Sequence, residues 1–164
     1  MLKTLYGKLV LSLVILLGAI GLLYLGLILY TTPMYFQEVS QKLNRDLAAH
    51  LVEEEPLIRG GEVNQAALKN SFHWLMVINP AIEIYLLDPQ GEILAYSAPP
   101  EKVKRQRVSL DPIHEFLADA RAYPIVGDDP RHLDRQKVFS AAPVVTDQQL
   151  DGYLYVVLAG EQYD

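Results

Sequence analysis

From Leu9 to Tyr30 the chain carries no Asp, Glu, Lys or Arg. Wound as an α-helix, this stretch reaches about 33 Å, enough for a tilted crossing of a hydrocarbon core. A run of this kind fixes one helix in a membrane and leaves the rest of a chain of 164 residues to form one small domain. Bilobal enzymes, nucleotide-driven motors and multi-domain receptors all need far more chain. The rival reading is a cleaved signal peptide, whose apolar region is shorter and ends at a small-x-small site; Tyr30 to Tyr35 offers none. Lys3 and Lys8 flank the run on its N-terminal side, so the positive-inside rule places the N-terminus in the cytoplasm and everything after Thr32 outside. Tyr24, Tyr30 and Tyr35 suit the outer interface. Gly18, Ala19, Gly21 and Gly26 supply small residues, but no pair lies four apart, so the close-contact motif of paired membrane helices is missing.

Lys3 and Lys8 are the only charges before Thr32, which leaves 12 bases against 20 acids, a net charge of -8, for the exported part. An acidic surface argues against nucleic acid, whose binders gain affinity by releasing counterions from phosphate. It also argues against clinging to anionic lipid. The chain has 0 Cys, which removes disulfides, thiolate nucleophiles and zinc ribbons, and suits an oxidising compartment. With 51% hydrophobic residues the exported part has the means to build a core.

Beyond Pro33, which removes a backbone donor and is expected to kink the junction, apolar residues recur as Phe36, Val39, Leu43, Leu47 and Leu51 with charges between them. The spacing predicts a membrane-proximal helix over residues 32–55. Its stripe suits packing on its own domain and pairing with a second copy equally well. Arg59-Gly60-Gly61 reads as a loop, and Asn64 as the cap of a second helix carrying Leu68, Phe72, Leu75 and Met76, ending at Asn79-Pro80. The period then changes to two. Residues 82–87 and 92–97 read as strands joined by Asp88-Pro89-Gln90-Gly91, a type I turn. A polar connection with Lys102, Lys104, Arg105 and Arg107 reads as a solvated loop. Asp111 is expected to cap a short helix with Pro112 at its first position and Ile113, Phe116, Leu117 and Ala120 on its apolar face. Gly127-Asp128-Asp129-Pro130 reads as a loop. Strand-like runs at 137–145 and 153–159 close the chain, linked by a turn-rich stretch from Thr146 to Gly152. In the last run Tyr153, Tyr155 and Val157 are expected to face one way and Leu154, Val156 and Leu158 the other. This is an α+β domain on one antiparallel sheet. The implied divisions are a cytoplasmic N-terminus (1–8), a transmembrane helix (9–31), the membrane-proximal helix (32–55) and an exported domain (56–164).

Catalytic signatures are missing. His114-Glu115 opens like a metallopeptidase motif, but Ala118 stands where the second His is required. His50, His73, His114 and His132 fall in different elements. No nucleophile elbow, phosphate-cradling loop or dinucleotide fingerprint occurs. Asp128, Asp129 and Asp134 lack the order of a calcium loop and read as turn formers. We therefore expect no catalytic residues, no metal and no cofactor. What stands out is a set of aromatic and hydroxyl residues in the strands: Tyr85, Tyr96, Phe139, Ser140, Tyr153 and Tyr155. Each is first a core candidate, and Tyr85, Tyr96, Phe139, Ser140 and Tyr155 are also candidates to line a small ligand pocket.

The segments at 82–94 (Ile-Glu-Ile-Tyr-Leu-Leu-Asp-Pro-Gln-Gly-Glu-Ile-Leu), 138–144 (Val-Phe-Ser-Ala-Ala-Pro-Val) and 152–157 (Gly-Tyr-Leu-Tyr-Val-Val), in that order after an N-terminal anchor and a long helix, resemble the extracytoplasmic sensor region of bacterial two-component sensor histidine kinases, of PAS-like (PDC or Cache) type. The resemblance implies a receptor input module, truncated ahead of the second transmembrane helix, HAMP linker and kinase domains of such proteins. It implies an inner-membrane, single-pass protein with a periplasmic domain, forming a homodimer along Phe36, Val39, Leu43, Leu47 and Leu51, and answering a small-molecule or protein stimulus. It carries no catalytic residue onto this chain: neither His50 nor His114 sits in the family's phospho-acceptor box, so no autokinase activity is expected. The alternative is a bitopic envelope protein whose exterior domain binds a protein partner.

Overall fold

The computed structural model describes residues 5–54, 57–59, 62–64, 82–119 and 122–158. The second helix expected after Asn64 and the Ala120 position lie outside them. The chain divides into two compact units, one ending at Phe36 and the other beginning at Gln37.

The first unit is helical. Helix α1 spans Leu5–Leu43, and it is the one helix among the described residues long and apolar enough to cross a membrane. Its apolar side chains from Leu9 to Tyr35 are exposed, as a lipid-facing surface requires. The two hydroxyls inside it are satisfied by the preceding turn: Ser12 Oγ donates to Leu9 O (2.8 Å) and Thr31 Oγ1 to Leu27 O (2.9 Å). Pro33 lies inside α1 without ending it.

The second unit takes up α1 at its final turns. The expected single helix over 32–55 is in fact interrupted: α1 stops at Leu43 and a separate α2 spans Leu47–Glu54. Asn44 makes the break, turning its Nδ2 back to Ser40 O at 2.8 Å while its own N–H reaches the same carbonyl at 3.2 Å. The apolar stripe is divided accordingly. Leu51 is buried and Leu47 half-buried against the sheet, whereas Phe36 and Leu43 are exposed, Leu43 at 81%.

A short hairpin, β1 (Ile58–Arg59) and β2 (Glu62–Val63), precedes the main sheet. That sheet holds β3 (Glu83–Leu87), β4 (Ile93–Tyr96), β5 (Val126–Asp128), β6 (Gln136–Thr146) and β7 (Gln149–Val157), all antiparallel, in the order β4-β3-β7-β6-β5. The last strand is thus central, between the first and the fourth. The β3–β4 hairpin is the one the sequence predicts, with Tyr85 opposite Tyr96 and Asp88 Oδ1 accepting from the N–H groups of Gln90 and Glu92. From β4 the chain crosses by a 3-10 turn at Pro100–Lys102 and helix α3 (Asp111–Leu117) to the far edge. Helix α3 begins one residue before expectation: Leu110, not Asp111, is its cap, no side chain caps it, and Leu117 points out of the core.

Gly127 and Asp128, expected in a loop, belong to β5 and pair with Lys137 and Gln136. The link between β6 and β7 is a two-residue turn, Asp147-Gln148, with φ of 52° and 67°, so both strands run further than the composition suggested. Gly152, placed by composition in that turn, lies within β7 at φ 156°. A Cβ there would come within 2.0 Å of Leu87 O, so only glycine lets β3 and β7 approach at this point.

The sheet buries both faces. Ile84, Leu86, Val138, Ala142, Val144, Leu154, Val156 and Leu158 pack against α2 through Ala48 and Leu51. Tyr85, Leu87, Phe139, Ala141, Tyr153, Tyr155 and Val157 pack against α3 through Ile113 and Phe116. The alternation expected along β7 is observed residue by residue.

Candidate functional site

Parity along the strands sorts the candidate pocket residues. Tyr85, Phe139 and Tyr155 are fully buried on the α3 side, with Tyr96 half-buried beside them. The Phe139 and Tyr155 rings lie 4.8 Å apart, Phe116 stacks on Phe139 at 5.2 Å, and Tyr85 and Tyr96 are 6.4 Å apart. These are tilted aromatic contacts of the kind cores favour. Ser140 does not join them. As the neighbour of Phe139 on β6 it must point to the opposite face, where its Oγ donates to Arg45 O (2.7 Å) and accepts from Ala48 N–H (3.1 Å). It satisfies two backbone groups at the α1–α2 break.

The tyrosine hydroxyls on the α3 side lead into a charged cluster. Tyr85 Oη donates to Glu83 Oε2 at 2.7 Å, and Glu83 Oε1 is paired with the Arg131 guanidinium at 2.6 Å. Arg131 N–H donates to Asp129 Oδ1 (3.0 Å), and Lys137 Nζ is 3.2 Å from Asp129 Oδ2. Next along the chain, Asp128 accepts from Ser109 N–H at 3.0 Å and lies 3.4 Å from Arg105, which also donates to the carbonyls of His132 and Leu133. Tyr155 Oη donates to Asp128 O at 2.9 Å. All six charged side chains are 20% exposed or less, so they interact in a partly dehydrated setting. Three acids face three bases, and the cluster carries no excess charge.

Gly127 makes this geometry possible, since a Cβ at that position would sit 2.6 Å from Tyr155 Oη and 3.0 Å from the Phe139 ring. Burial pushes the Tyr85 phenol far above its ordinary range, helped by the hydrogen bond to Glu83 and that carboxylate's charge. Burial does the same for Tyr155, with the charges of Asp128 and Asp129 adding to it. Both phenols are therefore neutral donors at any physiological pH.

Arg105, read as part of a solvated run, is drawn inward; Asp128 lies in β5, whereas Asp129 forms the turn expected of it, accepting from Arg131 N–H at Oδ1 and from His132 N–H at its carbonyl, and also joins the cluster. Glu83 and Arg131 went unsignalled in the sequence. His114 Nε2 lies 3.1 Å from Tyr153 Oη at the rim of α3. Among the described residues no group of His, Asp and Glu is arranged to hold a metal ion.

A third feature ties α1 to the sheet. Gln41, in the last turns of α1, is fully buried. Its Nε2 donates to Ile125 O and Phe139 O, both at 2.8 Å, and its Oε1 accepts from Ile125 N–H at 2.7 Å. The sequence matches no known family model, and comparison with curated proteins finds no significant relative.

Proposed function

We propose that this chain is the signal-input module of a membrane-bound receptor of the two-component sensor histidine kinase kind, with a PAS-like domain held outside the cytoplasm by an N-terminal span. The observation that carries this reading is the fixing of the residues that follow the apolar segment. Gln41 and Ser140 grip the end of α1 and the start of α2 with five hydrogen bonds of 3.1 Å or less to strand β6 and its neighbour Ile125. A domain meant only to display a binding surface works on a loose tether. One that must pass on a displacement of about one to two Å needs the residues that receive it fixed to the sheet. The aromatic and charged α3 side of the sheet is the input region in this reading, and β6 links it to the joint, since Phe139 and Ser140 are adjacent.

Lys3 and Lys8 orient the span with its N-terminus in the cytoplasm, so the domain lies in the periplasm of the inner membrane. The homodimer is drawn to Phe36 and Leu43, the members of the stripe left exposed; Leu51 is committed to its own core. The test is a hybrid in which the full chain is followed by the second span, HAMP linker and kinase of a well-behaved sensor. Ser140→Ala and Gln41→Ala are expected to shift the output at unchanged membrane abundance. Output indifferent to both would sink the sensor reading and favour a tethered binding domain.

A further inference from the structure

Along an antiparallel strand, the backbone groups of alternate residues point to the same neighbour. On β6, Val138 O accepts from Leu158 N–H on the β7 side, so the backbone groups of Phe139 point toward β5. The β5–β6 ladder pairs Asp128 with Gln136, Gly127 with Lys137 and Val126 with Val138. Its next rung would join Ile125 to Phe139, with Ile125 N–H donating to Phe139 O and Phe139 N–H to Ile125 O. That rung is not formed. Gln41 occupies it, taking both backbone groups of Ile125 and the carbonyl of Phe139.

From this we infer that Gln41 is a latch: its carboxamide substitutes for the last rung of the β5–β6 ladder, and its withdrawal lets Ile125 and Phe139 close on each other. A side-chain amide matches a peptide unit donor for donor and acceptor for acceptor, so Ile125 and Phe139 O keep partners in both arrangements. Leaving a buried backbone group without a partner is costly; on withdrawal of Gln41 the partners of Ile125 N–H, Ile125 O and Phe139 O are already in line. A bias toward either arrangement would shift the population between them. Phe139 sits in the aromatic stack with Phe116 and Tyr155, so closure of the rung moves a residue of the proposed input region. The purpose of the latch rests on the sensor reading, but its existence does not.

Residue-resolved hydrogen exchange on the full chain in detergent micelles tests it without any stimulus or output. In Gln41→Ala the Ile125 amide is expected to lose less than about tenfold of its protection, because Phe139 O replaces the lost acceptor, and the Phe139 amide is expected to gain protection. A larger loss at Ile125, with the Leu86 and Val156 amides still protected, would make Gln41 a plain structural peg and overturn the latch. Should Gln41→Ala lose protection throughout the sheet, Gln41→Glu is the second variant. A carboxylate is repelled by the two carbonyl oxygens and leaves the rung while keeping the side-chain volume. The same tenfold criterion at Ile125 then decides, and loss of the sheet in that variant too would also overturn the proposal. These results leave the hybrid output untouched, so a failed latch and a failed sensor reading are told apart.

Discussion

The two faces of the central sheet are built from the same three long strands and differ in kind. Toward α2 the sheet presents Ile84, Leu86, Val138, Leu154 and Val156, an aliphatic surface interrupted by one hydroxyl, Ser140, which is consumed by the α1–α2 joint. Toward α3 it presents Tyr85, Phe139 and Tyr155, with Glu83, Arg131 and Asp129 buried and Asp128 half-buried beside them. Aliphatic packing is stabilising and indifferent to what lies outside. Buried ion pairs are not an efficient source of stability, because desolvation cancels much of their attraction. A small domain that devotes one face to them gives up stability there, and in the function proposed above that face is the input region.

The comparison breaks first at the ion pair. Arg131→Ala strands the Glu83 carboxylate in a site where it is 6% exposed, and the expected cost is about 3–5 kcal/mol. Thermal unfolding of the full chain in detergent checks it. On the aliphatic face Leu154→Ala should cost about 3 kcal/mol through lost burial and the cavity left behind, and the same melting experiment reads it. An equal cost for the two changes hides opposite origins: conservative Leu154→Met should recover most of the loss, while Arg131→Lys, lacking the planar fork, should recover little.

The smallest effect concerns the tyrosines and has a signature in pH. Tyr155→Phe removes one hydrogen bond, to Asp128 O, and should cost about 1 kcal/mol at neutral pH. Tyr155 and Tyr85 have raised pKa values in the fold, so their contribution is complete below the ordinary tyrosine range near 10. Above it, the unfolded chain gives up these protons and the folded chain keeps them. Stability therefore falls as pH rises, by about 1.4 kcal/mol per pH unit for each buried phenol. Denaturant unfolding between pH 10 and 11 should show this slope reduced by about one phenol's share in Tyr155→Phe. An unchanged slope would mean that Tyr155 is not held neutral by the fold.

Features carried by neighbouring residues were legible in the sequence. The β3–β4 hairpin followed from period two and Asp88-Pro89-Gln90-Gly91, and the two-sided burial of β7 from its alternation of tyrosine and aliphatic positions. The break between α1 and α2 escaped because Leu43 and Leu47 are four apart, so the stripe keeps helical spacing straight across a three-residue interruption. Strand β5 escaped because Gly127-Asp128 has turn composition, and only pairing with β6 makes it a strand. The charged cluster was invisible for a different reason. Its members stand at 83, 105, 128, 129, 131 and 137, and a buried Glu or Arg looks the same in sequence as a solvated one. Gln41 gave no signal at all, since nothing local distinguishes a glutamine that caps a sheet from one that faces water.

In the proposed sensor reading the charged α3 face is kept for signalling and not for stability. Its most direct test is the triple variant Glu83→Leu, Arg131→Met, Tyr85→Phe, which removes the ion pair and its attached hydroxyl together and fills the space with apolar groups. The expected melting temperature is equal to or above that of the unaltered chain, since no charge is left unpaired, and regulated output in the hybrid receptor is expected to be lost. A triple variant that melts higher and signals normally would contradict this reading, and so would one that loses as much stability as Arg131→Ala alone.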